Sequence, residues 1–301
     1  MELLKRRTDL ALEARELLGK EAEGLPGVTC EETSAGGFPL TTVKITSPEG
    51  AKALGKPEGT YHTLDLAGLA RREPEAFPRA VTALAGLLAP LLGQETAEDV
   101  LVVGLGNRAI TPDAVGPKAA DRTLVTRHMV RMAPEQFGSF RPVAALAAGV
   151  LGTTGVESGE IVKAVAGSIS PKKIIAVDAL ASRSLDRLCS TVQVSDTGIS
   201  PGSGVGNHRF ALDAESLGVP VIAVGVPTVV DGATLAADVL EEAGKGEFDP
   251  AALAGGAGAA LMVTTRDIDE RVEDMAKVIG YAVSLALQPG MELSELEMLV
   301  E

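Results

Sequence analysis

Three apolar runs, "DVLVVGLG" at 99–106, "KKIIAVDAL" at 172–180 and "VPVIAVGVP" at 219–227, constrain the fold of this chain more than any other feature. Each is short, unbroken and rich in branched residues, the pattern of a strand buried on both faces. Helical periodicity follows each run. Such alternation predicts an α/β fold in three layers, a mostly parallel central sheet with helices on both faces. "RPVAALAAGVLG" reads as strand at its start, with a helix opening near Glu157. Ahead of this region, "GVTCEETSAGGFPLTTVKIT" gives two strand-like runs around a Gly-Gly turn, an N-terminal β-hairpin extension, and "TYHTLDL" a third short strand. Helices are expected over residues 10–23, between Pro78 and Gly93, and from Thr265 to about Leu287. The small-residue stretch 241–260 reads as loop. With no internal repeat and no linker, one domain is expected.

Composition narrows the function. At 301 residues and 46% hydrophobic, the chain can bury a large core, though aromatics make up only 3% of it. A net charge of −14 and so few rings argue against direct nucleic-acid binding, which needs clustered cations and stacking surfaces. No stretch reads as a signal peptide or membrane span, so a soluble, intracellular protein is expected. Cys30 and Cys189 form no CxxC pair; reduced structural thiols are expected, with a single disulfide as the alternative. His62, His128 and His208 are scattered, so no metal site and no cofactor is expected.

The first run ends in Gly104-x-Gly106, a fragment of the dinucleotide-binding fingerprint. The context departs from that fingerprint. A third glycine is missing, Asn-Arg-Ala follows, and no acid-terminated strand appears about twenty residues on. Thr111-Pro112-Asp113 reads instead as a helix start, with Thr as cap and Asp at the positive end of the helix dipole. Asp113 is then displayed at the carboxyl edge of the sheet, with Asn107 in the same loop as a supporting candidate. Asp178, after four apolar residues, sits at the same edge, where an acid is costly unless something uses it. Two such carboxylates within reach share a proton, one activating water while the other protonates a leaving group. The bland alternative is that both acids merely serve helix starts.

Asp196 lies in "SDTG", the triplet of pepsin-like proteases, but those are all-β folds that use two copies. A turn role is the simpler reading, with support of the site as the alternative. Asp231, in "GVPTVVDG", is a third acid at the sheet edge and a supporting candidate. "PGSGVGN" at 201–207 is either a loop against substrate backbone or a surface turn. No Gly-x-Ser-x-Gly elbow and no HExxH is present.

Five consecutive blocks, "VVGLGNRAITPDAVGPK", "GVLGTTGVESGEI", "IIAVDALASRSLDR", "VQVSDTGISPGSGVGN" and "GVPVIAVGVPTVVDG", resemble the germination proteases, endopeptidases of spore-forming bacteria. "LMVTTRDIDERVEDMAKVIG" resembles the closing helix of that family. The resemblance implies a metal-independent peptidase of atypical aspartic type on a fold related to the hydrogenase maturation peptidases. Asp113 and Asp178 match the family's carboxylates. It further implies degradation of small acid-soluble spore proteins during germination, a homo-oligomer, and a cytoplasmic location in the forespore or spore core.

"RRTDLALEA" resembles the site at which the family's zymogen removes its own propeptide, which implies cleavage between Asp9 and Leu10. Residues 1–9 are then propeptide and 10–301 a single peptidase domain, the processing site lying in an accessible segment. Relative to the family, the leader is short and the stretch before the closing helix abbreviated. The alternatives are a hydrogenase-maturation-type peptidase, a non-catalytic α/β binding protein and, more distantly, a nicotinamide-dependent oxidoreductase.

Overall fold

The computed structural model describes residues 8–93, 95, 97–200, 210–242 and 261–300. The first five strands are β1 (Val28–Ala35), β2 (Phe38–Ile45), β3 (Gly59–Asp65), β4 (Val100–Leu105) and β5 (Val143–Gly149). The remaining four are β6 (Lys173–Ser182), β7 (Thr191–Ser195), β8 (Val221–Asp231) and β9 (Met262–Val263). Among the described residues they form one nine-stranded sheet in the order β1-β2-β3-β7-β8-β6-β4-β5, with β9 added beside β8.

The sheet is mixed rather than mostly parallel. β8, β6, β4 and β5 run parallel to one another. Every other pairing is antiparallel: β1 with β2, β2 with β3, β3 with β7, and both β7 and β9 with β8. The reason is loop length. Only residues 183–190 separate β6 from β7, fewer than the dozen or more that a parallel crossover needs. β7 therefore turns back across the end of β8 and antiparallel to it. Apolar runs report burial, not direction, so this reversal was not visible in the sequence. β1 and β2 are joined through Gly36 and Gly37, both at positive φ, the backbone of a tight hairpin turn. Through β3 and β7 they are continuous with the parallel strands, so they form part of the main sheet instead of an appended hairpin.

Alternation along the parallel strands decides the layers. Val100 and Val102 face one core with Ile175, Val177, Ile222 and Val224. Against that face pack the helices Ala76–Leu92, Val115–Asp121 and Ile268–Leu287, the last contributing Val272, Met275, Ile279 and Val283 at helical spacing. Leu101, Val103, Ile174 and Ala176 face the other side, against Val162 and Ala166 of the Ser158–Ile169 helix. A third cluster, Ala11, Val43, Ile45, Leu54 and Tyr61, seats the N-terminal helix Ala11–Leu18 on the antiparallel part. Each fully buried Val, Leu or Ile contributes about 1.5–3 kcal/mol, so these faces hold the strands in register.

Local differences from the sequence reading are small. The closing helix begins at Ile268 rather than Thr265, and Thr264 donates its hydroxyl to Thr228 O at 2.7 Å. The N-terminal helix stops at Leu18, and a 3-10 turn continues to Gly24. The "PGSGVGN" loop, His208 and residues 243–260 lie outside the described residues. No helix among the described residues is long and apolar enough to cross a membrane.

Candidate active site

β4 and β6 separate at their carboxyl ends. Their last register pair is Gly104 with Val177, and β6 runs on to Ser182 beside β8. Asp178 is the first β6 residue past that pairing. It lies inside the strand, not at its end as the sequence suggested, and it is only 5% exposed. Its Oδ1 accepts the Ala179 N–H at 2.9 Å. A central-strand acid so deeply buried is costly unless hydrogen bonds compensate it.

The departing end of β4 explains the Gly-x-Gly. A Cβ on Gly104 would lie 2.2 Å from Gly116 O, and one on Gly116 would lie 2.3 Å from Leu105 O and 2.4 Å from Val177 O. Strand and helix here touch backbone to backbone. Gly106 has φ +113°, and its Cβ would fall 2.0 Å from Asp113 O. The glycines let the loop fold over on itself and bring Asp113 back to the sheet edge. They serve the close packing of strand against helix.

Asp113 closes a 3-10 turn, Thr111–Asp113, just ahead of the Val115–Asp121 helix. Its Oδ2 accepts the Asn107 N–H at 2.6 Å. Thr111 does not cap the helix; its hydroxyl donates to Asp269 Oδ1 at 2.8 Å and ties the loop to the closing helix. Asn107 makes its own turn, Oδ1 accepting from Ala109 N at 3.0 Å. Asp113, Asp178, Asn107 and Asp9 line one cleft of about 530 Å³. A second cleft of about 350 Å³ continues past Asp9 and Asp178 toward Lys56, Tyr61 and Gln193.

Asp9 thus lines both clefts, as Asp178 does. Its N–H donates to Ala181 O and its Oδ2 accepts from Ala181 N, both at 2.9 Å. Gln193 spans the Asp9–Leu10 junction, donating from Nε2 to Asp9 O at 3.3 Å and accepting from Ala11 N at 2.8 Å. Leu10 is fully buried. The expectation that this segment is accessible is therefore overturned: the apolar side of the Ala11–Leu18 helix needs the sheet for cover, and it carries Leu10 in with it. Lys56 donates toward Thr8 O at 3.4 Å. Burial lowers the Lys56 ammonium below its ordinary range, and the Asp9 and Glu13 carboxylates oppose that shift.

The other sequence candidates lie elsewhere. Asp196 is exposed after β7, and its Oδ1 accepts from Thr60 N at 2.8 Å, pinning the start of β3. Asp231, at the end of β8, caps the Gly232–Glu242 helix by accepting from Ala233 N and Thr234 N at 3.1 Å each. Neither lines the cleft that holds Asp113 and Asp178. Both cysteines are free thiols, Cys189 buried and Cys30 partly so. His62 holds Thr42 Oγ1 at 3.0 Å through Nδ1. Among the described residues no cluster of three His, Cys, Asp or Glu side chains is arranged for a metal ion.

Gln193, Lys56 and Ala181 were missed by sequence reasoning. A lone Gln, a Lys in a loop and a strand alanine carry no chemical signature until the leader is seen to touch them.

Comparison with known proteins places this architecture among the peptidases. The chain belongs to the germination protease family, whose model matches residues 6–245. It is 44% identical to the germination protease of Caldanaerobacter subterraneus subsp. tengcongensis, over 98% of both chains. It is 41% identical to that of Clostridium perfringens, over 96% of this chain and 97% of the relative. With the germination protease of Bacillus pumilus the identity is 44%, over 78% of this chain and 66% of the relative.

Proposed function

We propose that the chain is an endopeptidase made as a self-processing zymogen, which degrades small acid-soluble spore proteins at germination. Asp113 and Asp178 act on a water between them. One carboxylate takes a proton as the water oxygen attacks the scissile carbonyl; the other delivers a proton to the leaving nitrogen. The C–N bond breaks, and the proton count is restored for the next turn. No metal is required in this scheme. Residues 1–9 are the propeptide and 10–301 the peptidase domain, working as a homo-oligomer in the cytoplasm of the forespore and spore.

The observation that supports this reading most is shared location. Asp9, Asp113 and Asp178 line one cleft, so the residue on the acyl side of the Asp9–Leu10 bond shares a cleft with the two carboxylates that would cut it. Burial of Leu10 explains how such a bond persists: local opening of the leader must precede attack.

The test is N-terminal sequencing and intact mass of wild type, Asp113→Asn and Asp178→Asn after incubation at mildly acidic pH, followed by assay on a spore-protein substrate. Loss of residues 1–9 in the wild type alone is expected. Processing in the Asn variants would remove the carboxylates from the chemistry, and activity that depends on added nickel would favour the hydrogenase-maturation alternative.

A further inference from the structure

Among the described residues, three hydroxyl side chains line the cleft that holds Asp113 and Asp178: Ser158, Thr228 and Thr264. Two of them are occupied within the protein. Ser158 donates to Gly149 O and Thr264 donates to Thr228 O, each at 2.7 Å. The Thr228 hydroxyl has no hydrogen-bond partner among the described residues, although Thr228 is only 1% exposed. A buried hydroxyl left unpaired is costly, and an apolar group of the same shape would remove that cost. The position therefore calls for a partner from outside the chain.

The backbone gives Thr228 its place. Along β6 and β8, Leu180 pairs with Pro227 and Ala181 with Val229, so Thr228 is the extra residue of a β-bulge. Bulges re-aim side chains and gather beside active sites. Here the successive residues Thr228 and Val229 both line the cleft. Thr264 braces the bulge through the Thr228 carbonyl. Ala181, paired just past the bulge, is the residue whose N–H and carbonyl hold Asp9. The leader thus docks level with Thr228 and still leaves its hydroxyl unused.

We infer that Thr228 Oγ1 is a substrate-binding donor, which gives its hydrogen bond to a main-chain carbonyl of the polypeptide lying in this cleft. The inference rests on the reading of the cleft as the site of proteolysis. A neutral hydroxyl reads no charge, and every polypeptide offers carbonyls, so Thr228 aligns the chain without selecting its side chains. It moves no proton in the reaction. The leader does not supply this carbonyl, so the bond distinguishes a bound substrate from the enzyme's own docked segment.

The experiment compares wild type, Thr228→Val and Thr228→Ser, each as the full chain left to self-process, on a fluorogenic peptide copying residues 6–15. Val keeps the shape and deletes the hydroxyl; Ser keeps the hydroxyl. KM is expected to rise about fivefold in Thr228→Val with kcat unchanged, and Thr228→Ser should stay within about twofold of wild type. The Tm of Thr228→Val should rise by about 2 °C, because no internal bond is lost and an unpaired buried group is removed. Anisotropy with the same peptide on full-length Asp178→Asn, with and without Thr228→Val, should give the same fivefold ratio. An unchanged KM in Thr228→Val, a loss confined to kcat, or a Ser variant as weak as Val overturns the inference. A Tm well below wild type in Thr228→Val overturns it too, since the hydroxyl would then serve the fold. So does failure of the unmutated cleft to bind the peptide. Hydrolysis by the Asp178→Asn protein would sink the two-aspartate mechanism instead, and the anisotropy ratio would still decide the role of Thr228.

Discussion

Asp9 and Ala181 hold each other twice: the Asp9 N–H donates to Ala181 O, and the Ala181 N–H donates to Asp9 Oδ2, each at 2.9 Å. One bond uses backbone that any residue would supply; the other needs an acceptor of the reach of Asp. Replacing Asp9 by Ala keeps the first and deletes the second, leaving the Ala181 N–H short of a partner. The expected cost is on the order of 1 kcal/mol of local docking, about a fivefold rise in the undocked leader. Hydrogen exchange at Leu10 and Ala11 should quicken accordingly in Asp9→Ala, while exchange in the Ile268–Leu287 helix stays as in the wild type. Unchanged exchange at Leu10 would mean that the apolar contacts of the first helix alone seat the leader.

Gly104 is the second point of test, because it separates two explanations of the Gly-x-Gly. If the glycines pack strand against helix, a methyl at 104 collides with Gly116 O at 2.2 Å, and both are backbone atoms that cannot swing aside. Gly104→Ala should then lose about 1–3 kcal/mol of stability, the usual cost of overpacking, and activity should fall as the Asp113 loop shifts. A thermal melt with and without nicotinamide cofactor should move with the mutation and not with the cofactor. A cofactor-induced rise in Tm would revive the dinucleotide reading.

How much of this was legible beforehand follows from which forces act locally. β4, β6 and β8 could be read directly, because a strand buried on both faces must be apolar throughout. The Ala76–Leu92 helix was readable from its periodicity and from Gly93 at its end, where φ is +71°. Asp178 stood out because an acid directly after an apolar run needs a reason, and Asp113 because Thr-Pro-Asp opens a helix at the carboxyl edge of the sheet. Asp196 and Asp231 carried the same signal for another reason: each satisfies backbone N–H groups, and a sequence does not say which donors an acid will meet. Strand direction was hidden because pairing is decided between segments far apart in the chain. The seating of the buried Glu13 carboxylate was hidden more deeply, since two of its donors are the backbone N–H groups of Arg183 and Ser184.

Glu273 links the segment carrying Asp113 to the closing helix, and it supplies a pH test. Lys118 and Arg122 each donate to its carboxylate at 2.6 Å. The Lys118 bond, then Arg122, holds the Glu273 carboxyl below its ordinary 4.5, against the opposing effect of burial. A folded-state pKa below the unfolded one means stability that is fully present above about pH 4.5 and lost as pH falls through the lowered value. The carboxylate is 40% exposed, so solvent screening keeps the contribution to roughly 0.5–1 kcal/mol. Glu273→Gln should therefore unfold at lower urea than wild type at pH 7, and the two midpoints should converge in acid below that window. A constant gap across the whole range would assign the loss to packing and not to charge.

Cys189 should be chemically silent in the folded protein although it is one of only two thiols. It is 2% exposed, and burial pushes its pKa up to about 12, with Asp267 adding to the shift and Arg271 opposing it. At pH 8 its thiolate fraction is on the order of one part in ten thousand, and the thiolate is the reactive form. Cys30, partly exposed on β1 opposite Val43, has no such burial. An aromatic disulfide reagent at pH 8 should therefore release one equivalent from the native chain and a second only in denaturant. The same shift carries a stability consequence with a definite sign. A thiol whose pKa is raised on folding contributes stability below its ordinary value of 9.0, and that contribution drains away as pH climbs toward 12. Cys189→Ala, which removes the titrating group, should flatten the alkaline decline of Tm that the wild type shows. If both thiols of the native protein reacted at one rate, the buried placement of Cys189 between the sheet and the closing helix would be wrong.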